Sequence, residues 1–200
     1  MGKWAGVGIV VLILVILASW FAGTYNSLVA LDQSVQAQWA QVQTVYQRRA
    51  DLIPNLVATV KGVAGFEKST YLGVAQARSK VGQISTSQLQ NLPNNPAAFA
   101  QFQHAQDALS GALSRLLAVV ENYPDLKASE NFLELQAQLE GTENRIAVER
   151  RRYNETARAF NTTRQSFPSA FVAGMFGARF ALKPYFEAQP NAQAAPTVQF

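Results

Sequence analysis

Apolar and polar positions follow three different rhythms along this chain. Residues 4–22, WAGVGIVVLILVILASWFA, show no polar interruption by charge at all. About 19 residues at ~1.5 Å each cover roughly 29 Å, close to the ~30 Å hydrocarbon core of a bilayer, which admits a helix because its backbone groups are satisfied internally. A cleavable signal would have an apolar core of about 7–15 residues ending at a small-x-small site. Here the run is longer, Ile16-Leu17-Ala18 is a poor cleavage site, and no cysteine is present for lipid attachment. The run is therefore read as an uncleaved transmembrane anchor, residues 1–23.

Beyond Thr24 the apolar residues recur every three or four positions: Leu28, Leu31, Val35, Trp39, Val42, Val45, Tyr46, Ile53, Leu56, Val60 and Val63. That spacing lines one face of a long amphipathic helix. Pro54 lies inside it, removes the donor for the Ala50 carbonyl and predicts a kink near residues 50–53. Gly62 and Gly65 bracket a second expected break before helical character resumes over residues 66–80. Residues 82–96, GQISTSQLQNLPNNP, have no period and are expected to form an unordered loop. Asn95 followed by Pro96 is the signature of a helix start, as cap and first-turn proline. The next stripe is Phe99, Phe102, Ala105, Leu109, Leu113, Leu116 and Val120, ended at Asn122-Tyr123-Pro124.

A third helix is expected from Asp125 to about Gln165. Its apolar positions repeat every seven: Phe132, Leu139, Ile146, Tyr153, Phe160 and Phe167. A strict repeat of this kind predicts long helix packing of coiled-coil type. Gly141, inside the helix, suggests a close backbone approach. Residues 167–188 are rich in Phe and are expected to pack back on the bundle as a short fourth element or to lie at a lipid interface. Residues 189–200, of Ala, Gln and Pro, read as a disordered tail.

Composition narrows the function. Cysteine is absent and one histidine is present, so disulfides and most zinc sites are excluded. Net charge is +4, a modest excess that fits a solvated surface as well as anionic lipid. His104 and Asp107 stand three apart but lack a second ligand pair, and Glu130 with Glu134 reads as a solvated face. There is no nucleophile elbow and no phosphate-cradling glycine loop. Arg150, Arg151 and Arg152 point about 100° apart on a helix; they form a collar expected to pair with Glu149 and Glu155, and nucleic-acid binding is disfavoured. Lys3 precedes the anchor, and only Asp32 is charged within residues 23–43, so the amino terminus is assigned to the cytoplasm and the body outside.

The most unusual stretch is RRADLIPNLV, residues 48–57, where Arg48, Arg49, Asp51 and Asn55 surround Pro54 on an apolar seam. Arg49 or Asn55 is expected to donate to carbonyls freed at the kink. TYNSLVALD after an anchor, RRADLIPNLVATVKG, the block from ENYPDL through RAFN, FPSAFVAGMFG and KPYFEA together resemble the LemA family of bacterial membrane proteins. The likeness covers nearly the whole chain; Phe66-Glu67 and Ala178-Arg179 depart from the usual pattern. It implies an all-α fold, an N-terminal transmembrane helix followed by an antiparallel bundle of three long helices (residues 24–166) and a short C-terminal helical segment. It also implies a family of poorly defined role, with relatives associated with membrane organelles in magnetic bacteria.

The expectation is a single-pass scaffold or assembly protein of the bacterial inner membrane, not an enzyme and without cofactors, whose partners are the lipid bilayer, further copies of itself and other membrane proteins. An accessory subunit that regulates a membrane enzyme or protease is the alternative. Small residues four apart in the anchor (Gly2 and Gly6, Ala18 and Ala22, Ser19 and Gly23) favour close approach of helices in lipid. The interaction residues are taken to be Arg48, Arg49, Asp51, Pro54, Asn55, Tyr123, Pro124, Phe176 and Phe180.

Overall fold

The computed structural model describes residues 2–63 and 65–187, all of them helix, turn or extended connection. Residues 188–200, which include the expected disordered tail, lie outside the described residues.

Helix α1 runs from Gly2 to Lys61 without interruption, 60 residues and so roughly 90 Å. Its first part is apolar and exposed throughout, from Val7 to Leu17, and its second part forms the centre of the body. The same helix thus passes through residue 23, and the apolar segment and the body share one continuous helix. Gly65, at φ +79°, turns the chain after α1; a side chain there would be strained. Helix α2 then spans Lys68–Gly82.

The stretch expected to be unordered is structured. Ser85 and Gln88 form a reciprocal cap that opens α3 (Thr86–Asn91), with Gln88 N donating to Ser85 Oγ (3.3 Å) and Ser85 N donating to Gln88 Oε1 (3.0 Å). A tight turn follows, which buries Leu92 and Pro93. Ile84, Leu89 and Leu92 reach the core, and the Trp39 indole donates to the Leu89 carbonyl (2.7 Å). Local capping and three apolar side chains thus outweigh the polar composition of the segment.

Helix α4 (Pro96–Val120) begins as expected, with Asn95 Oδ1 accepting from Ala98 N at 3.1 Å. On its stripe Gln106, not Ala105, is the buried residue. The expected third helix is two: a single turn, α5 (Pro124–Lys127), and, after Ser129, the long helix α6 (Glu130–Gln165). Leu126 tucks under the end of the bundle at this corner. Five of the seven-spaced positions are buried in α6, but Phe167 lies beyond the helix and is 92% exposed. Pro168 accounts for this, since proline steers the residue before it away from helix. At Gly141 an added Cβ would meet nothing within 4 Å, so the expected close approach is absent. Helix α7 (Ser169–Met175), a turn at Gly177–Phe180 and an extended strap over residues 181–187 complete the described chain.

Cross-helix pairs fix the directions. Gln38 meets Glu149 and Arg49 meets Glu143, so α1 and α6 are antiparallel. Trp39 meets Phe99 and Arg49 meets Ser110, so α1 and α4 run in the same direction. Arg78 meets Ala50 while Lys61 lies over Tyr71, so α2 descends beside α1. The result is an up-down-up-down bundle in which α1 packs chiefly on α6 and α2 on α4.

Candidate functional site

The RRADLIPN motif does not form one surface. Arg48, Asp51, Pro54 and Asn55 are exposed, whereas Arg49 is 1% exposed and points into the bundle. Helix α1 continues through Pro54, and the Ala50 carbonyl, which has no amide donor four residues on, instead accepts from Arg78 Nε of α2 (3.1 Å). The donor expected from Arg49 or Asn55 therefore comes from another helix. Sequence spacing within α1 had no means of showing it. Asp51 accepts from Gln47 one turn back (2.8 Å).

Arg49 is the polar node of the core. Its Nη1 donates to Ser110 Oγ (2.7 Å) and Glu143 Oε1 (2.8 Å), and its Nη2 donates to the Gln106 side chain and carbonyl. The guanidinium also lies over the Tyr46 ring, 5.1 Å from its centroid. A buried charge needs such company, because an isolated ion in the interior is strongly disfavoured. Arg49 Nε and the Tyr46 hydroxyl remain without partners and border a cleft of about 170 Å³ that Arg150 and Asp107 also line. Burial pushes the Tyr46 phenol above its ordinary value, an effect that Arg150 and Arg49 partly offset. Beside the cleft, Ser110, Leu113, Leu139, Glu140 and Glu143 line a groove of about 410 Å³ between α4 and α6. Such a groove offers hydrogen bonds and a narrow apolar floor. Among the described residues no three His, Cys, Asp or Glu side chains are grouped to hold a metal.

A second polar system binds the strap. Asn161 Oδ1 accepts from Lys183 N while its Nδ2 donates to Lys183 O, both at 2.9 Å. Asn154 treats Phe186 in the same way, both at 2.9 Å, and Gln103 grips Glu187 N (3.3 Å) and O (3.1 Å). Extended backbone cannot satisfy itself, and these carboxamides take the place of a neighbouring strand. The Lys183 ammonium is buried against Asp32 Oδ1 (2.5 Å) and Asn94 Oδ1 (2.6 Å), 4.7 Å from the Phe160 ring centroid. Arg150 reaches Asp107 (3.6 Å), the Glu187 carbonyl (3.1 Å) and the Phe186 ring. Of the arginine collar, Arg152 pairs with Glu149 (2.8 Å) as expected, but Arg150 serves the strap.

The remaining sequence-picked residues sit at opposite ends. The Tyr123 hydroxyl donates to Gly65 O (2.7 Å), its ring packs on Phe66, and Pro124 opens α5, so this pair closes the end remote from the anchor. Phe176 packs on Phe21 and Tyr25 at the anchor end, and Phe180 is fully buried. Phe180 is thus unavailable as a contact between molecules, because the end of α7 turns inward onto Tyr25 and Phe160. Sequence reading passed over Lys183, Asn94, Asn154 and Asn161. The signal available was Asn154 and Asn161, seven apart and each one residue after a buried ring of α6.

These features define an antiparallel helical bundle whose first helix extends into an apolar segment long enough to cross a membrane. The chain belongs to the LemA family, whose model matches residues 38–200. It is 27% identical over 180 residues to magnetosome protein MamQ 2 of Paramagnetospirillum magneticum and to magnetosome protein MamQ of Magnetospirillum gryphiswaldense, matches that cover 83% of this chain. It is also 27% identical over 153 residues to protein LemA of Metamycoplasma hominis, covering 76% of this chain. In each case the chain spans 65% of the relative's length.

Proposed function

We propose that this protein is a single-pass, non-enzymatic scaffold of the bacterial inner membrane that self-associates, with its amino terminus in the cytoplasm and its bundle outside. One observation carries the reading: α1 passes from the apolar segment into the centre of the bundle without a break. A flexible tether would let a domain tumble, whereas a continuous helix fixes the bundle's direction relative to the bilayer, as a platform for assembly requires. The outward face of α1 supports contact between copies. Ala30, Ser34, Ala37, Gln41 and Thr44 are exposed, small or uncharged, and bring no like charges together. Exposed Gly6 and Gly23 lie on the anchor, where small residues allow close packing in lipid. Three relatives carry the name magnetosome protein, which supports a part in a membrane-associated cellular structure.

A second reading, an accessory subunit of a membrane enzyme or protease, rests on the groove between α4 and α6, which has room for a partner's side chains. Mass photometry of the full chain in native nanodiscs, followed by crosslinking in native membranes, separates the two. The scaffold reading expects a discrete multiple of the chain mass and self-adducts. A monomer-sized particle in every detergent and in nanodiscs overturns it, and a single foreign adduct across the groove replaces it with the second.

A further inference from the structure

We propose that the exposed aromatic face of α7 lies in the interfacial region of the bilayer, so that lipid holds the bundle at a second place besides the anchor. This rests on the reading that α1 crosses the membrane. Phe167, Phe171 and Met175 are 92%, 67% and 63% exposed. Phe171 and Met175, four apart, share one side of α7, and Phe167 stands just before its first turn, while Val172 and Ala173 are buried in the bundle. Helix packing thus leaves three large apolar side chains exposed on and just before this one short helix.

The depth of that patch follows from its neighbours. Phe176, in the turn that ends α7, has its ring centroid 6.4 Å from that of Phe21 and 4.8 Å from that of Tyr25. Phe21 belongs to the last turn of the apolar run, and Tyr25 is one turn beyond it. Helix α7 is therefore level with the end of the membrane-spanning segment, where Trp20 and Tyr25 stand as aromatic residues do at headgroup depth. The apolar surface of the anchor and that of α7 meet at this contact.

Charge favours lipid over a second copy. No Asp or Glu occurs between Glu155 and Glu187, while Arg158, Arg164 and Arg179 do. Asp32, the acidic residue of α1 closest to the anchor, is joined to Lys183. Arg179 lies 5.5 Å from the Tyr25 ring centroid, beside the exposed face. Two such faces would bring their arginines together, whereas anionic phospholipid headgroups would meet them.

Because the chain has no cysteine, a spin label can be placed at one introduced cysteine at a time. Full-length Ile13→Cys, Thr44→Cys, Phe171→Cys and Met175→Cys would be reconstituted in nanodiscs of phosphatidylcholine and phosphatidylglycerol. Collision with oxygen, which concentrates in lipid, is then compared with collision with an aqueous nickel chelate. The expected oxygen-to-nickel ratio is highest at 13, several-fold above the Thr44→Cys value at 171 and 175, and lowest at 44. Labels at 171 and 175 that match 44 while 13 stays deep overturn the proposal and leave the anchor standing. Labels shielded from both reagents, with dipolar broadening that unlabelled chain dilutes away, also overturn it by showing a second copy on the face. An aqueous label at 13 removes the membrane reading itself.

Discussion

At the end of the bundle remote from the anchor, the core is made by Ile53, Leu56, Val60, Val74, Leu109, Leu113, Leu116, Val120 and Leu139 with Phe66 and Phe132. At the anchor end it is made by Trp39, Tyr46, Phe99, Phe102, Tyr153, Phe160, Phe180 and Phe186, with Lys183 and Asn161 buried among them. The remote half is mostly aliphatic, and helices with their short connections supply it. The anchor half is aromatic and takes in a non-helical strap, which needs side-chain amides for its backbone. Trp39 alone has ring centroids within 5.5–6.2 Å of Phe99, Phe102, Tyr153 and Phe186. The difference shows two ways to close a bundle: periodic apolar seams where four helices meet, and a clasped extended segment where the fourth side needs filling. Both halves share α1 and α6, so they are expected to unfold together even though one of them can open locally.

The largest effect is expected in the remote half. Leu116 is fully buried there, and Leu116→Ala removes its packing and leaves a cavity, at a cost of about 2–5 kcal/mol. Thermal unfolding of the full chain in detergent should show a lower midpoint, with the far-ultraviolet (helix) signal and the near-ultraviolet tryptophan signal, which reports the buried Trp39 of the anchor half, still coincident. An aromatic signal that keeps its wild-type midpoint would make the two halves separate units and break the comparison.

A smaller and local effect is expected in the anchor half. Asn161→Leu loses both hydrogen bonds to the Lys183 backbone and the one to the Tyr185 hydroxyl (2.9 Å), for a cost of about 2 kcal/mol. Amide hydrogen exchange should quicken over residues 181–187 while residues 139–146 of α6 keep their protection. Equal acceleration in both would mean that the strap is not a separately opening unit.

The contrast also explains what was legible in the sequence. Val35, Trp39, Ile53, Leu109, Leu139 and Ile146 declare themselves by spacing, because a buried helix face repeats every three to four residues. The cap at Asn95 and the long apolar start of α1 were readable for the same local reasons. Lys183 carried no such sign: its burial depends on Asp32 and Asn94, which are 151 and 89 residues away in sequence. Arg49 drew notice from its motif, but Gln106, Ser110 and Glu143 are ordinary polar residues of two other helices until the bundle brings them to it. Phe176 and Phe180 were picked out as exposed rings. The turn at Gly177, with φ +49°, is what sends Phe180 inward, and a left-handed glycine leaves little trace in a pattern of apolar positions.

The smallest effect tests whether the aromatic half tolerates an unpartnered hydroxyl. The Tyr153 ring is fully buried and stacks on Phe99 with centroids 5.6 Å apart, yet its hydroxyl has no hydrogen-bond partner. Burial, and secondarily Tyr185, raises its phenol well above the ordinary value of 10.0. A phenol that is harder to ionise when folded has a definite sign in linkage. Below pH 10 it is neutral in both states and favours neither; above pH 10 the unfolded chain releases its proton first, and stability falls as pH rises further. Tyr153→Phe keeps the ring stacking and removes a polar atom that burial disfavours. At pH 7 the variant should therefore match or exceed wild type by up to about 1 kcal/mol. Between pH 10 and 11 the wild-type chain should lose stability faster, by up to about 1.4 kcal/mol per pH unit for this one group. Melting midpoints of both chains across that range check the slope. A loss of more than about 1 kcal/mol at pH 7 would mean that the hydroxyl holds a partner worth a normal hydrogen bond, and Tyr153 would then add no unpartnered polar atom to the anchor half.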